Sequence, residues 1–296
     1  GSNEETIPFS PSPFVEAGFT VDPTTPLPTV VQQNFPPDNP KPLNTPAPLP
    51  PPISLPITSP TVEPIPIQLA IATAIPAMNS NLPHEVTIEE LSDGSYVCRP
   101  PGAGPFAAVL YNHGGLGTIV GGDLAGTCRS LAEAGYLARS EKRQETRQLT
   151  GHLTEVLEGL NRLRSHPDAD ASRIGMMGFS RGGLLTLQAA IAQPDYIHAV
   201  VLMAPAHGKS AMERTLQKVS HIDDPVRVFV SENDQTQANH VQISQDVEEA
   251  LRVAGKDVDL TIYPPYGDDG HKLFFLVQEP YWSDLIAFFD GVFGQE

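Results

Sequence analysis

Proline is spread so unevenly along this 296-residue chain that it splits the chain in two: residues 1–84 hold 21 of the 31 prolines. Each proline fixes φ and removes a backbone donor, so helices and central strands cannot be built across such a stretch. Pro50-Pro51-Pro52 and its neighbours read as extended, polyproline-like chain, serving as a linker, a stalk or a tail laid along a domain surface. Ile67–Ile75 is apolar and free of proline, and reads as a strand or short segment docked on the domain that follows. Gly1-Ser2 reads as the scar of a removed tag, which leaves room for an export signal cut away with it. A proline-rich leader favours secretion or the cell envelope over the cytoplasm.

From residue 85 onward the pattern is that of a folded domain. Val86–Leu91 alternates, Asp93-Gly94 is a turn dipeptide and Ser95–Arg99 returns, which predicts an antiparallel hairpin. Apolar runs then alternate with helical periodicity. Strands are expected at Phe106–Tyr111, Tyr136–Ala138, Arg173–Gly178, His198–Met203, Val226–Val230 and Val258–Tyr263. Helices are expected at Leu124–Ala134, from Leu149 to Leu163, and at Leu184–Ala192, Val241–Val253 and Trp282–Phe289. Strands alternating with helices predict an α/β fold: a mostly parallel twisted sheet with helices on both faces, the hairpin adding antiparallel edge strands. In such sheets chemistry sits at the carboxyl ends of the strands.

Composition narrows the function classes. The formal charge of −17 repels phosphate backbones and anionic headgroups, so nucleic acid is not an expected partner. No apolar run is long enough to span a bilayer. Cys98 and Cys128 are the two cysteines, without C-x-x-C spacing or a Cys/His cluster, so no structural metal is expected. They are either two buried thiols or one disulfide, the choice depending on compartment.

Four motifs carry chemistry. Gly178-Phe179-Ser180-Arg181-Gly182 is G-x-S-x-G between a predicted strand and a predicted helix. A strand turning at once into a helix holds its apex residue in strained geometry with the side chain exposed, and the flanking glycines let strand and helix approach. Ser180 is the candidate nucleophile. His113-Gly114-Gly115-Leu116-Gly117 follows the strand FAAVLYN and supplies backbone donors for an oxyanion. Gly114 and Gly115 fit that role together with Arg181, Leu116 can contribute, and His113 reads as a loop-stabilising residue. Asp234 lies past the carboxyl end of Val226–Val230 and is the candidate acid, with Glu232 as runner-up. His271 follows the last strand and is the candidate base, with His207 and His240 as rivals; Asp268 and Asp269 stand beside it to tune or compete for its proton. The order Ser, Asp, His is the one used on α/β-hydrolase scaffolds. Leu116, Ile119 and Val120 either line an acyl pocket or belong to the core.

With VLYNHGGLG, RIGMMGFSRGG, VFVSEND and YPPYGDDGHKLFF in that order, residues 85–296 resemble the dienelactone hydrolase-like branch of the α/β-hydrolases, which grades into prolyl-oligopeptidase-like domains. The resemblance implies Ser180, Asp234 and His271 as a catalytic triad, carboxylic-ester or related acyl substrates, and no metal or organic cofactor. The sequence departs from the family in two places. Dienelactone hydrolases proper look to use cysteine where this chain has Ser180, which points away from dienelactone as substrate. After Gly135-Tyr136, LARSEKRQETRQ is short and charged where the family has a longer apolar strand, so a truncated strand and a more open site are expected there. The leading expectation is a carboxylesterase for small or medium esters. A peptidase or acyl-aminoacyl hydrolase is the enzymatic alternative, although no gating propeller is legible before the domain. A catalytically silent binding or surface protein is the third.

Overall fold

The computed structural model describes residues 85–115, 120–143 and 152–294. The proline-rich segment, the Ile67–Ile75 stretch, Leu116, Ile119 and the expected helix start at Leu149 lie outside the described residues. Eight strands form one sheet in the order β1-β2-β4-β3-β5-β6-β7-β8. They are β1 (Thr87–Glu90), β2 (Tyr96–Arg99), β3 (Phe106–Asn112), β4 (Leu137–Glu141), β5 (Ala169–Phe179), β6 (Ala199–Met203), β7 (Val226–Ser231) and β8 (Val258–Tyr263). The β1–β2 and β2–β4 pairs are antiparallel and every other pair is parallel. The expected hairpin and parallel sheet are both present.

Side chains leave each strand alternately on the two faces, and the core follows that alternation. In β3, Ala107, Val109 and Tyr111 join one buried cluster while Ala108 and Leu110 join the other. The first cluster is covered by α1 (Leu124–Glu133) and α6 (Tyr281–Phe293), which contribute Leu131, Leu285 and Phe289. The second is covered by α2 (His152–Arg164), α3 (Arg181–Ala192) and α5 (His240–Val253), through Leu160, Leu187 and Leu251. A glycine sets the depth of one contact: a Cβ on Gly175 would lie 2.8 Å from the Phe289 ring, so its absence lets α6 rest directly on β5.

Chain order places the site. From β3 the chain crosses to β4 on one side and then to β5 on the other, so the order reverses at β3. Such a reversal opens a crevice at the carboxyl ends of the strands. Those ends carry Gly114, Gly115 and Ser180.

Two expectations change. β4 is not truncated at Ala138 but runs to Glu141, in parallel register with β3 from Leu137 opposite Ala108 to Glu141 opposite Asn112. Its charged residues are buried in the strand because they are paired. Arg139 Nε donates to Glu141 Oε1, Arg162 Nε donates to the same oxygen at 3.0 Å, and Ser95 Oγ donates to Glu141 Oε2 at 3.3 Å. A short helix, α4 (Ala211–Leu216), was not anticipated. Six residues are too few to display helical periodicity.

Cys98 on β2 and Cys128 on α1 are joined as a disulfide, their Cα atoms 5.6 Å apart. The bond closes a loop with a sequence separation of 30 and ties the edge hairpin to the face of the sheet that α1 covers. Loop-closure entropy assigns such a cross-link about 3 to 4 kcal/mol of stability. Urea unfolding of a Cys98→Ala/Cys128→Ala double variant should show a loss of that order, and a thiol assay on unfolded, unreduced wild type should find no free thiol.

Candidate active site

The turn between β5 and α3 is one residue long. Ser180 has φ 53° and ψ −117°, in a region costly for a side-chain-bearing residue. The surroundings hold it there. Its N–H donates to Met203 O at 2.8 Å, and its carbonyl accepts from Ala206 N at 2.9 Å and Leu184 N at 3.3 Å. No side chain fits at the two glycines that flank the turn. A Cβ on Gly178 would meet Gly182 O at 2.3 Å, and one on Gly182 would meet Asn112 O at 1.9 Å. The G-x-S-x-G spacing is therefore a consequence of backbone packed on backbone.

The loop after β3 is built around His113. Arg143 N donates to His113 Nε2 at 3.1 Å, so the ring proton sits on Nδ1 and is given to Gly114 O. Burial, with the neighbouring Arg143 cation, pushes the His113 pKa down to about 3. His113 is thus a neutral loop-stabilising residue, as its position suggested. Gly114 and Gly121 exchange backbone hydrogen bonds of 2.7 and 3.1 Å. This revises the reading of Gly114 as an oxyanion donor, because its N–H closes the loop instead. Gly115, with φ 89°, lines the cavity beside Ser180 and Arg181. Val120 is half-buried and packs on the core cluster.

Asp234 follows β7 and is fully buried, whereas its rival Glu232 is exposed. His271 Nδ1 donates to Asp234 Oδ2 at 2.8 Å. The turn carrying His271 is fixed by Asp269, whose Oδ1 accepts the His271 N–H at 3.0 Å and the Thr236 hydroxyl at 2.6 Å. Asp269 therefore anchors the backbone of the turn, and Asp268 pairs with Lys272 at 3.0 Å on the surface. The His271 ring is packed between aromatic neighbours, 4.7 Å from Phe179 and 6.4 Å from Phe275. His271, Ser180, Gly115 and Arg181 line one cavity of about 390 Å³, shared with Phe275, His207, Lys209, Gln237 and His240. Phe275, Lys209 and Gln237 were not singled out from the sequence. Lys209 and Gln237 are non-glycine residues at φ 58° and 62°, strain that no local motif announces.

The rivals for the base are placed differently. His207 Nδ1 lies 3.2 Å from Lys209 O in its own loop. His240 is buried against His271, ring centroids 4.5 Å apart. Asp234, His240 and His271 bring a carboxylate oxygen and two ring nitrogens within 4.8 Å of one another. His271 Nδ1 and both His240 nitrogens lie within hydrogen-bond distance of protein oxygens there.

The model of the dienelactone hydrolase family matches residues 94–272. The chain belongs to the dienelactone hydrolase family. No curated protein matches its sequence. Among solved structures it is similar to a dienelactone hydrolase-like protein from Klebsiella pneumoniae (19% identity, TM-score 0.54, covering 71% of this chain and 99% of that one). It is also similar to an esterase from Rhizomucor miehei (17%, 0.56, 72% and 86%). A third likeness is to dipeptidyl peptidase 4 from Porphyromonas gingivalis (16%, 0.52), of which the match spans only 35% against 71% of this chain. These likenesses establish the α/β-hydrolase fold, and the family match makes this family member a hydrolase.

The backbone contacts around Ser180 generate a prediction. Gly182→Ala inserts a Cβ 1.9 Å from a carbonyl oxygen that β3 cannot move without breaking register. The variant should express as insoluble protein or lose several degrees of Tm by circular dichroism, whereas Gly291→Ala, with open space around its Cβ, should not.

Proposed function

We propose that this family member is a serine esterase, with Ser180 as nucleophile, His271 as general base and Asp234 as the acid that orients it. The observation that carries the reading is the 2.8 Å His271–Asp234 hydrogen bond at the wall of the cavity that Ser180 also lines. Asp234 as a carboxylate only accepts, so Nδ1 holds the proton and neutral His271 keeps the lone pair on Nε2. That lone pair takes the proton of Ser180 Oγ as Oγ bonds to the acyl carbon. The carbonyl oxygen then carries the charge, stabilised by the backbone N–H groups of Gly115 and Arg181. Arg181 is the first residue of α3, where N–H groups have no intrahelical acceptor and the helix dipole favours an anion. The tetrahedral carbon collapses, the C–O bond to the alcohol breaks, and His271 returns its proton to the leaving oxygen. Water repeats the cycle on the acyl-enzyme.

The matches that span nearly the whole of a compact esterase or dienelactone hydrolase-like chain, against a third of a dipeptidyl peptidase, favour ester over peptide substrates. A small acyl group fits a cavity walled by Phe275, Ala206 and Gly208. The disulfide supports an oxidising compartment. No helix among the described residues is long and apolar enough to cross a membrane.

A fluorophosphonate probe should label wild type and not Ser180→Ala; a folded wild type that takes no label would defeat the proposal. On p-nitrophenyl esters, His271→Ala should lower kcat by at least ~10³-fold and Asp234→Asn by on the order of 10⁴-fold. Faster turnover of aminoacyl-nitroanilides than of esters would transfer the assignment to a peptidase.

A further inference from the structure

The geometry points to His240 as a proton-sensing positioning residue for the base: protonation of His240 switches off His271, giving the enzyme a second ionisation on the acid side of its pH profile. The inference rests on His271 acting as the base, as proposed above.

His240 is the first residue of α5 and is buried, only 3% exposed. Its Nε2 lies 2.9 Å from Thr236 O and its Nδ1 3.2 Å from Pro205 O. A neutral imidazole has one N–H and leaves one of those two carbonyls facing a lone pair. An imidazolium has two N–H groups and satisfies both. The two carbonyls can therefore accommodate a second ring proton, which burial opposes.

Every charged or titratable group around the ring bears on that proton. Asp234, on the loop after β7, faces both histidines, and its Oδ1 is buried with no hydrogen-bond partner. His271 packs on the ring from the turn after β8. Lys209, His207 and Arg181 line the same cavity from the loop after β6 and from α3. Asp269 is turned to the His271 backbone and the Thr236 hydroxyl. Burial, against the pull of the Asp234 carboxylate, holds the His240 pKa below the ordinary histidine value. His240 is thus neutral near pH 7 and takes its proton in acid.

The consequence for the reaction follows from charge. In the transition state His271 becomes imidazolium, stabilised by Asp234. If His240 is already imidazolium, two buried cations with ring centres 4.5 Å apart share one carboxylate. The catalytically competent form is then the one in which both rings are neutral, and either proton inhibits. The two protons bind as a coupled pair with two macroscopic steps.

Two measurements test this. For wild type, log kcat/KM on a p-nitrophenyl ester should fall with slope one and then approach slope two as pH drops, while His240→Gln should stay at slope one. Independently of turnover, NMR titration of the imidazoles should move the His240 midpoint down by about one pH unit in Asp234→Asn, where the carboxylate that favours the proton is gone. It should move the midpoint up in His271→Gln, where the repelling ring is gone. A wild-type limb that stays at slope one until circular dichroism reports unfolding, or a slope of two retained in His240→Gln, overturns the inference. So does a His240 midpoint unmoved in Asp234→Asn. The NMR arm needs no active enzyme, so failure of fluorophosphonate labelling and failure of this coupling are separate results.

Discussion

The close approach of β5, α3 and the end of β3 is the constraint on which the site depends. Backbone meets backbone there, with room for no side chain at Gly178 or Gly182. Ser180 occupies a costly conformation only because three backbone hydrogen bonds from β6, its following loop and α3 overdetermine it. The strain has a geometric product: the hydroxyl is presented at the sheet's carboxyl edge, where the N-terminus of α3 and the loop after β3 also end. Asn112 Nδ2, donating to Thr186 Oγ1 at 2.9 Å, fastens β3 to α3 just beneath this junction.

The parts of the molecule that follow a local period were legible in the sequence. The apolar runs of β3, β5, β6, β7 and β8 announce strands, and G-x-S-x-G fell where strand gives way to helix. Asp234 and its runner-up Glu232 both stand past the end of β7, and the structure buries the first and leaves the second exposed. What escaped was decided by partners distant in sequence. β4 reads as truncated because Arg139 and Glu141 look like surface residues, yet Arg162 and Ser95 make them strand-compatible. Gly114 and Gly115 look equivalent, and only the bridge to Gly121 distinguishes them. His240 was visible as a rival base, but its contact with His271 arises from a helix start and a turn 31 positions apart in the chain numbering.

Charge held within the domain is organised by role. The Arg139–Glu141–Arg162 group is paired and closes the end of β4, and Arg143 is turned to the backbone of His113, which it helps to keep neutral. Asp234 by contrast is a fully buried carboxylate with its charge given to imidazole. A protein with a formal charge of −17 thus has no carboxylate among the cavity-lining residues described, and Asp234 stands behind them, bonded to His271.

The last helix has a consequence for the order in which the molecule can be assembled. α6 covers the face of the sheet where Tyr111, Phe179, Met203 and Phe229 lie, and two tyrosines bind it: Tyr136 and Tyr263 donate hydroxyls to Asp290 and Asp284. Until synthesis has passed residue 293, of the two covering helices α1 alone packs on that face, and the part that α6 covers is an open apolar surface. A nascent chain that already holds Ser180 and Asp234 is therefore still sticky and unfinished, and closure of this core waits on the ribosome delivering a helix that contributes no residue to the lining of the cavity around Ser180.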